Sequence, residues 1–130
     1  MNWHLVTYAD ENFVEQQKYL HQIHKEGFVH HPFNRKQLES TKFYKDNKKI
    51  LDQDKGAGWW LWKPYYILEV LKKSKTNDFI IYSDCGDMFS HGLKPYIENT
   101  LDKNDISLLL IGNAKNGHMT KRDCFIIMTC

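Results

Sequence analysis

The chain has 130 residues, a common size for one domain and enough to bury roughly two-thirds of the surface its unfolded form exposes. Hydrophobic residues make up 42% and charged residues 26%, which excludes a disordered chain; 18 basic against 16 acidic side chains leave a net charge of +2, too even to imply nucleic acid as a partner. Cys85, Cys124 and Cys130 lack metal-finger spacing, residues 1–10 are too polar for a leader peptide, and no apolar run approaches the roughly 18 residues of a membrane span, so a cytoplasmic setting is expected.

Taken in order, residues 5–8 read as a short first strand leaving into the turn at Ala9, Asp10 and Glu11. Residues 13–25 carry a helical stripe (Phe13, Gln17, Leu20, His21, His24) that Gly27 ends, and residues 28–30 read as a second strand with Pro32 and Asn34 marking its exit. Residues 37–52 are expected to form one Lys-rich helix with irregular edges, and Gly56 and Gly58 a tight loop. Pro64 suits the first turn of a helix, where its missing N–H costs nothing, and that helix continues to the lysines of residues 72–75. Residues 79–82 are a near-continuous apolar run of the kind found in parallel strands covered on both faces. After a loop around Gly92 come a helix over residues 93–101, a second apolar strand over 106–111 and a further element from 125 to 128. Strands alternating with helices predict a single α/β domain with a mainly parallel sheet.

In open α/β sheets ligands sit beyond the carboxyl ends of the strands. Asp84 and Asp87 fall there, beside Gly86, and offer hard oxygen ligands suited to Mn²⁺ or Mg²⁺, ions often shared with substrate phosphates. The aromatic cluster Trp59, Trp60 and Trp62 lies just upstream and offers flat surfaces for a base or a sugar. Together these features point to a nucleotide-diphosphate ligand.

The run Gly56-Ala57-Gly58-Trp59-Trp60-Leu61-Trp62-Lys63-Pro64, the strand end Tyr82-Ser83-Asp84-Cys85-Gly86 and the later Thr120-Lys121-Arg122-Asp123-x-Phe125 carry a specific resemblance. In this order and spacing they resemble a group of GT-A-fold glycosyltransferases, with Val6-Thr7-Tyr8-Ala9 matching the usual first strand loosely. The resemblance implies a Rossmann-like half that binds a nucleotide sugar and an Asp-x-Asp motif that holds a divalent metal against the diphosphate. Here the second carboxylate stands one residue later than usual. Relatives also continue past the Lys-Arg-Asp segment, so the chain corresponds to the nucleotide-binding half, and a homodimer covering exposed sheet surface is expected.

By the resemblance, Tyr8 stacks on uracil while Ala9 or Asp10 bonds base or ribose; Asp123 binds donor-sugar hydroxyls, Arg122 serves the phosphates or orients Asp123, and Lys121 belongs to the same donor site. Asp84 is read as the first metal ligand and as catalytic with Asp123, and Asp87 as a second ligand to the same ion. Lys63 stands at a helix start beside an aromatic wall, placed for phosphate or ribose, and Trp62 is assigned to the donor pocket. Plainer readings compete throughout: Asp84 as a turn cap, Asp87 as a solvent-facing acid, Tyr8 as core, the tryptophans as packing and Lys63 as a surface lysine. Cys85 reads as a small buried residue rather than a nucleophile. His30 and His31 point to opposite faces of a strand and so do not ligate jointly. His118 stands as a further candidate ligand, and His21 and His24 share a helix face without a third. The expected activity is metal-dependent transfer from a UDP-sugar to a hydroxyl acceptor. The rivals are a transfer-inactive donor-binding module, a nucleotide-sugar hydrolase and a nucleic-acid-binding α/β domain.

Overall fold

Trp3 to Ala9 contains little polar alternation because both of its faces are covered. In the computed structural model, which describes residues 1–87 and 93–101, all seven residues of β1 (Trp3–Ala9) are buried. β1 is the central strand of an open three-stranded sheet of order β2-β1-β3, with β2 (Val29–Asn34) and β3 (Phe79–Tyr82) both parallel to it. Side chains alternate along β1, so Thr7 meets α1 (Val14–Ile23) on one face while Val6 and Tyr8 meet α5 (Trp62–Leu71) on the other. The result is an α/β arrangement with helices on both sides of a parallel sheet.

β2 is longer than the residues 28–30 expected. Pro32 sits inside it, paired with Thr7, because β2 is an edge strand and an edge tolerates a residue without an N–H. Asn34 closes the strand and opens α2 (Arg35–Glu39) through a reciprocal capping box: its side chain accepts from the Gln37 N–H at 2.9 Å, and its own N–H donates to Gln37 Oε1 at 3.0 Å. The single helix expected over residues 37–52 is two. Thr41 accepts from the Tyr44 N–H and starts α3 (Lys42–Leu51), which is itself irregular at Asn47, whose amide donates to the Phe43 carbonyl.

α5 presents Trp62, Tyr66 and Val70 at four-residue spacing toward the sheet. These side chains pack with Val6, Tyr8, Leu38, Tyr44 and Leu51 into the main hydrophobic core. Leu38 and Leu51 are fully buried, each such burial contributing roughly 1.5–3 kcal/mol. Pro64 is the third residue of α5, inside the first turn as expected.

The chain divides into two compact units, Met1–Ser90 and His91–Cys130. All the elements above belong to the first. Of the second, the described element is α6 (Leu93–Leu101), on the bounds expected and again with a proline in its first turn. The strand expected over 106–111, the element at 125–128 and the candidates His118, Lys121, Arg122 and Asp123 lie outside the described residues. No helix among the described residues is long and apolar enough to cross a membrane.

Candidate functional site

From β1 the chain passes to β2 on one side and later returns to β3 on the other, so the strand order reverses at β1. Such a switch point opens a crevice beyond the carboxyl ends of the strands. A cleft of about 500 Å³ lies there. Tyr8, Phe13, Trp60 and Trp62 form its aromatic wall, Asp10, Asp54 and Asp84 its acidic rim, and Gly56, Ala57, Cys85 and Gly86 complete the lining. Among the described residues, no lysine or arginine lines it. A second hollow of about 400 Å³ shares Asp10, Asp54 and Ala57 with the first and extends past Glu11, Asn12 and Gln53 to Arg35 and Asp52.

The wall owes its shape to α4 (Gly56–Trp59), a helical turn where a tight loop was expected. Gly56, Ala57, Gly58, Trp59 and Trp60 all have positive φ, from 50° to 99°, so the chain is wound left-handed for one turn. The Trp59 N–H donates to the Lys55 carbonyl at 2.7 Å and the Trp60 N–H to the Gly56 carbonyl at 3.1 Å, the four-residue pattern of an α-helix with its hand reversed. Side-chain-bearing residues in this region cost about 1–2 kcal/mol each, and Ala57, Trp59 and Trp60 all carry one. Close packing holds them there. A Cβ at Gly58 would lie 2.5 Å from the Leu51 Cα, and one at Gly56 would lie 2.5 Å from ring atoms of Trp60. The Trp62 indole N–H adds a 3.1 Å hydrogen bond to the Gly56 carbonyl.

The three tryptophans therefore divide. Trp62 is buried and stacks on Tyr8, with centroids 4.0 Å apart and rings 18° from parallel. Trp59 is half-exposed but turned to Gln53, to which its N–H donates at 2.6 Å, and Lys55 lies over its ring. Trp60 is also half-exposed, and it lines the cleft. Tyr8, expected to stack on the base, lines the cleft with only 5% of its surface accessible and its ring against Trp62. The half-exposed rings of the cleft belong to Trp60 and Phe13. The Tyr8 hydroxyl is buried with no hydrogen-bond partner among the described residues, and burial pushes its pKa up to about 12 despite the nearby Arg35.

Ala9 is buried as the last residue of β1, opposite Asn34, and does not line the cleft. Asp10 turns the chain, its carboxylate accepting from the Asn12 N–H at 2.9 Å. Asp84 is exposed at the cleft with its carboxylate already engaged. The Tyr82 hydroxyl donates to Oδ1 at 2.6 Å, and Lys63 Nζ lies 3.1 Å from the same oxygen. Burial and this hydrogen bond push the Tyr82 phenol far above its ordinary range. Lys63 also sits 4.7 Å from the Tyr82 ring centroid, so it is held by an aromatic face and a carboxylate together and does not line the cleft. Asp87 closes the turn through its N–H to the Asp84 carbonyl at 3.0 Å, and its side chain is exposed outside the lining. Cys85 is buried, donates toward the Tyr8 carbonyl at 3.1 Å, and has its thiol pushed up to about 11 by burial.

No group of three or more His, Cys, Asp or Glu residues poised to hold a metal ion occurs among the described residues. The donors at the cleft are carboxylates, which suit a hard divalent cation whose remaining ligands come from substrate oxygens. Two contributors escaped sequence reasoning. Asp54 lies in the polar stretch before Gly56 with no motif around it. Arg35 is drawn to the second hollow by an ion pair with Asp52 at 2.7 Å and by a bond to the Leu51 carbonyl, partners 16 and 17 residues away.

The fold and cleft define an α/β protein with an open parallel sheet and a switch-point crevice that is aromatic and acidic. Comparison of the chain with protein-family models, with curated proteins and with solved structures finds no match.

Proposed function

We propose that the chain is the nucleotide-sugar-binding half of a GT-A-type glycosyltransferase that takes a UDP-sugar together with Mn²⁺ or Mg²⁺ and passes the glycosyl group to a hydroxyl acceptor. The observation that carries this reading is the make-up of the cleft: half-exposed rings beside three carboxylates, with no lysine or arginine among the described residues on the lining, at the switch point of a parallel sheet. A diphosphate entering that rim alone would meet only like charge. With a divalent cation held at Asp84, the diphosphate would meet the cation instead.

In this reading Asp84 binds the cation, and Asp87 reaches it directly or through water. Lys63 holds Asp84 in place and turns to the phosphates when the cation takes over the carboxylate. Phe13, three residues after Asp10, offers its ring to the base, and Asp10 offers its free oxygen to base or ribose. Transfer breaks the bond between the anomeric carbon and the diphosphate oxygen and forms one to the acceptor oxygen, which gives up its proton. The cation supplies charge neutralisation for the leaving diphosphate.

Titration calorimetry with UDP, in the presence and absence of Mn²⁺, tests the proposal. Binding is expected only with Mn²⁺, and Asp84→Asn should weaken it by at least about tenfold, or ~1.4 kcal/mol. Silence with UDP and GDP in both conditions, or binding indifferent to Mn²⁺ and to Asp84, would defeat it.

A further inference from the structure

The exposed ring of Trp60 and the carboxylate of Asp54 are not used by the nucleotide. Trp60 is 46% accessible. One side of its ring system rests against Gly56, so closely that a Cβ there would come within 2.5 Å of the ring. The remaining face is turned out at the cleft, and the left-handed turn fixes where it points. Trp59, the next residue along and equally accessible, differs on every count. Its ring is covered by Lys55 at 4.6 Å, tied to Gln53, and absent from the cleft. A strained turn that locks an indole face beside a cavity is costly to keep for packing alone, since Trp60 buries only half of itself.

Asp54 stands where the cleft meets the second hollow and lines both. Its side chain makes no hydrogen bond or ion pair among the described residues, while its carbonyl accepts from the Ala57 N–H at 3.1 Å at the base of the turn. Around it the second hollow offers Asp10, Glu11, Asn12 and Gln53. Arg35, the cation there, is bound up with Glu39, Asp52 and the Leu51 carbonyl. The region is rich in acceptors and poor in free cations. Anionic ligands are therefore disfavoured, and a ligand that donates many hydrogen bonds while presenting a flat apolar patch is favoured. A pyranose does both, with hydroxyls around its rim and axial C–H groups on a face that suits an indole.

We propose that the exposed face of Trp60 is a stacking platform for a neutral saccharide, whose hydroxyls donate to Asp54. Calling that saccharide the acceptor rests on the proposed function. Its binding does not, because this contact needs neither nucleotide nor metal.

The test uses the full chain without metal or nucleotide, with a panel of neutral tetrasaccharides of glucose, mannose and N-acetylglucosamine as probes. Saturation-transfer NMR and tryptophan fluorescence report binding. Trp60→Gly and Trp59→Gly are the paired variants, and both relieve a positive-φ strain, so neither should impair folding. At least one tetrasaccharide is expected to bind, with affinity reduced about tenfold or more in Trp60→Gly and in Asp54→Ala but unchanged in Trp59→Gly. No binding by the whole panel would overturn the proposal, as would equal loss in the two tryptophan variants. Loss of Mn²⁺-dependent UDP binding in Trp60→Gly with saccharide binding intact would give the ring to the nucleobase instead. Saccharide binding in a chain that ignores UDP would uphold this inference while defeating the glycosyltransferase reading.

Discussion

The two faces of the sheet are built from different materials. On the α5 side the contacts are aromatic: Tyr8 on Trp62, and Phe33 on Tyr66 with centroids 3.9 Å apart. On the α1 side they are polar. Gln17 donates to Thr7 Oγ1 and to the Phe33 carbonyl, His21 bonds Thr7, and His21 Nδ1 lies 2.5 Å from His30 Nδ1, with His24 buried alongside. Two ring nitrogens that close share one proton at most, so the imidazole pair is uncharged or carries a single charge. The contrast separates two duties: the aromatic face stiffens the cleft, with His4 and His31 stacked beyond Phe33 on the same side, while the His21–His30 pair on the α1 face makes stability depend on acidity.

The largest expected way to break the aromatic side is Gly58→Val. The new side chain would strike the Leu51 backbone in a left-handed position, and a loss of roughly 3 kcal/mol or more is expected, read as a collapse of the urea midpoint. Trp62→Ala follows, at about 3–5 kcal/mol by the same measurement, since it removes both the stack on Tyr8 and the bond to the Gly56 carbonyl.

The histidine side should yield to acid instead. Burial first, and then the neighbouring His30, lower the His21 pKa from 6.5 to about 4; His31, on the other face, is lowered in the same direction by burial and by His4, so part of the fall belongs to that side. The unfolded chain therefore takes up protons that the folded one refuses. The contribution of His21 is complete above about pH 6.5, falls as the pH drops from there toward 4, and levels off below. Urea midpoints measured from pH 7.5 to 4.5 should show that fall, and His21→Gln should flatten it while leaving Mn²⁺-dependent UDP binding at neutral pH intact. A slope unchanged by that substitution would refute the division between the faces. The smallest effect belongs to Gly86→Ala, where a Cβ meets nothing within 4 Å, and the urea midpoint should barely move.

Much of this arrangement could be read from residue order, and the exceptions have identifiable causes. β1, β3 and α6 announce themselves because apolar parallel strands and proline-started helices leave strong local patterns, although β3 is only half-buried among the described residues. The alternation that puts His30 and His31 on opposite faces also holds: His30 meets His21, and His31 meets His4 at 2.9 Å. What alternation cannot supply is the partner, because His21 and His30 belong to different elements. Pro32 suggested a strand exit because a proline's meaning depends on whether the strand is central or at the edge. The break before α3 rests on one threonine oxygen, a cap too slight to outweigh the lysine-rich run around it. At the cleft, the carboxylates at the ends of β1 and β3 were legible from topology alone. Which ring faces outward was not, since that follows from a backbone conformation three non-glycine residues would ordinarily avoid.

That reversed turn has a consequence for chemistry as well as for shape. Left-handed winding is the natural conformation of D-amino acids, so at residues 57, 59 and 60 the polypeptide is, in effect, written in the opposite chirality. A synthetic chain carrying D-alanine at position 57, where φ and ψ are 50° and 47°, would meet its mirror-image preference there. Inversion of a stereocentre, ruinous in an ordinary helix, would at this one place let the backbone relax.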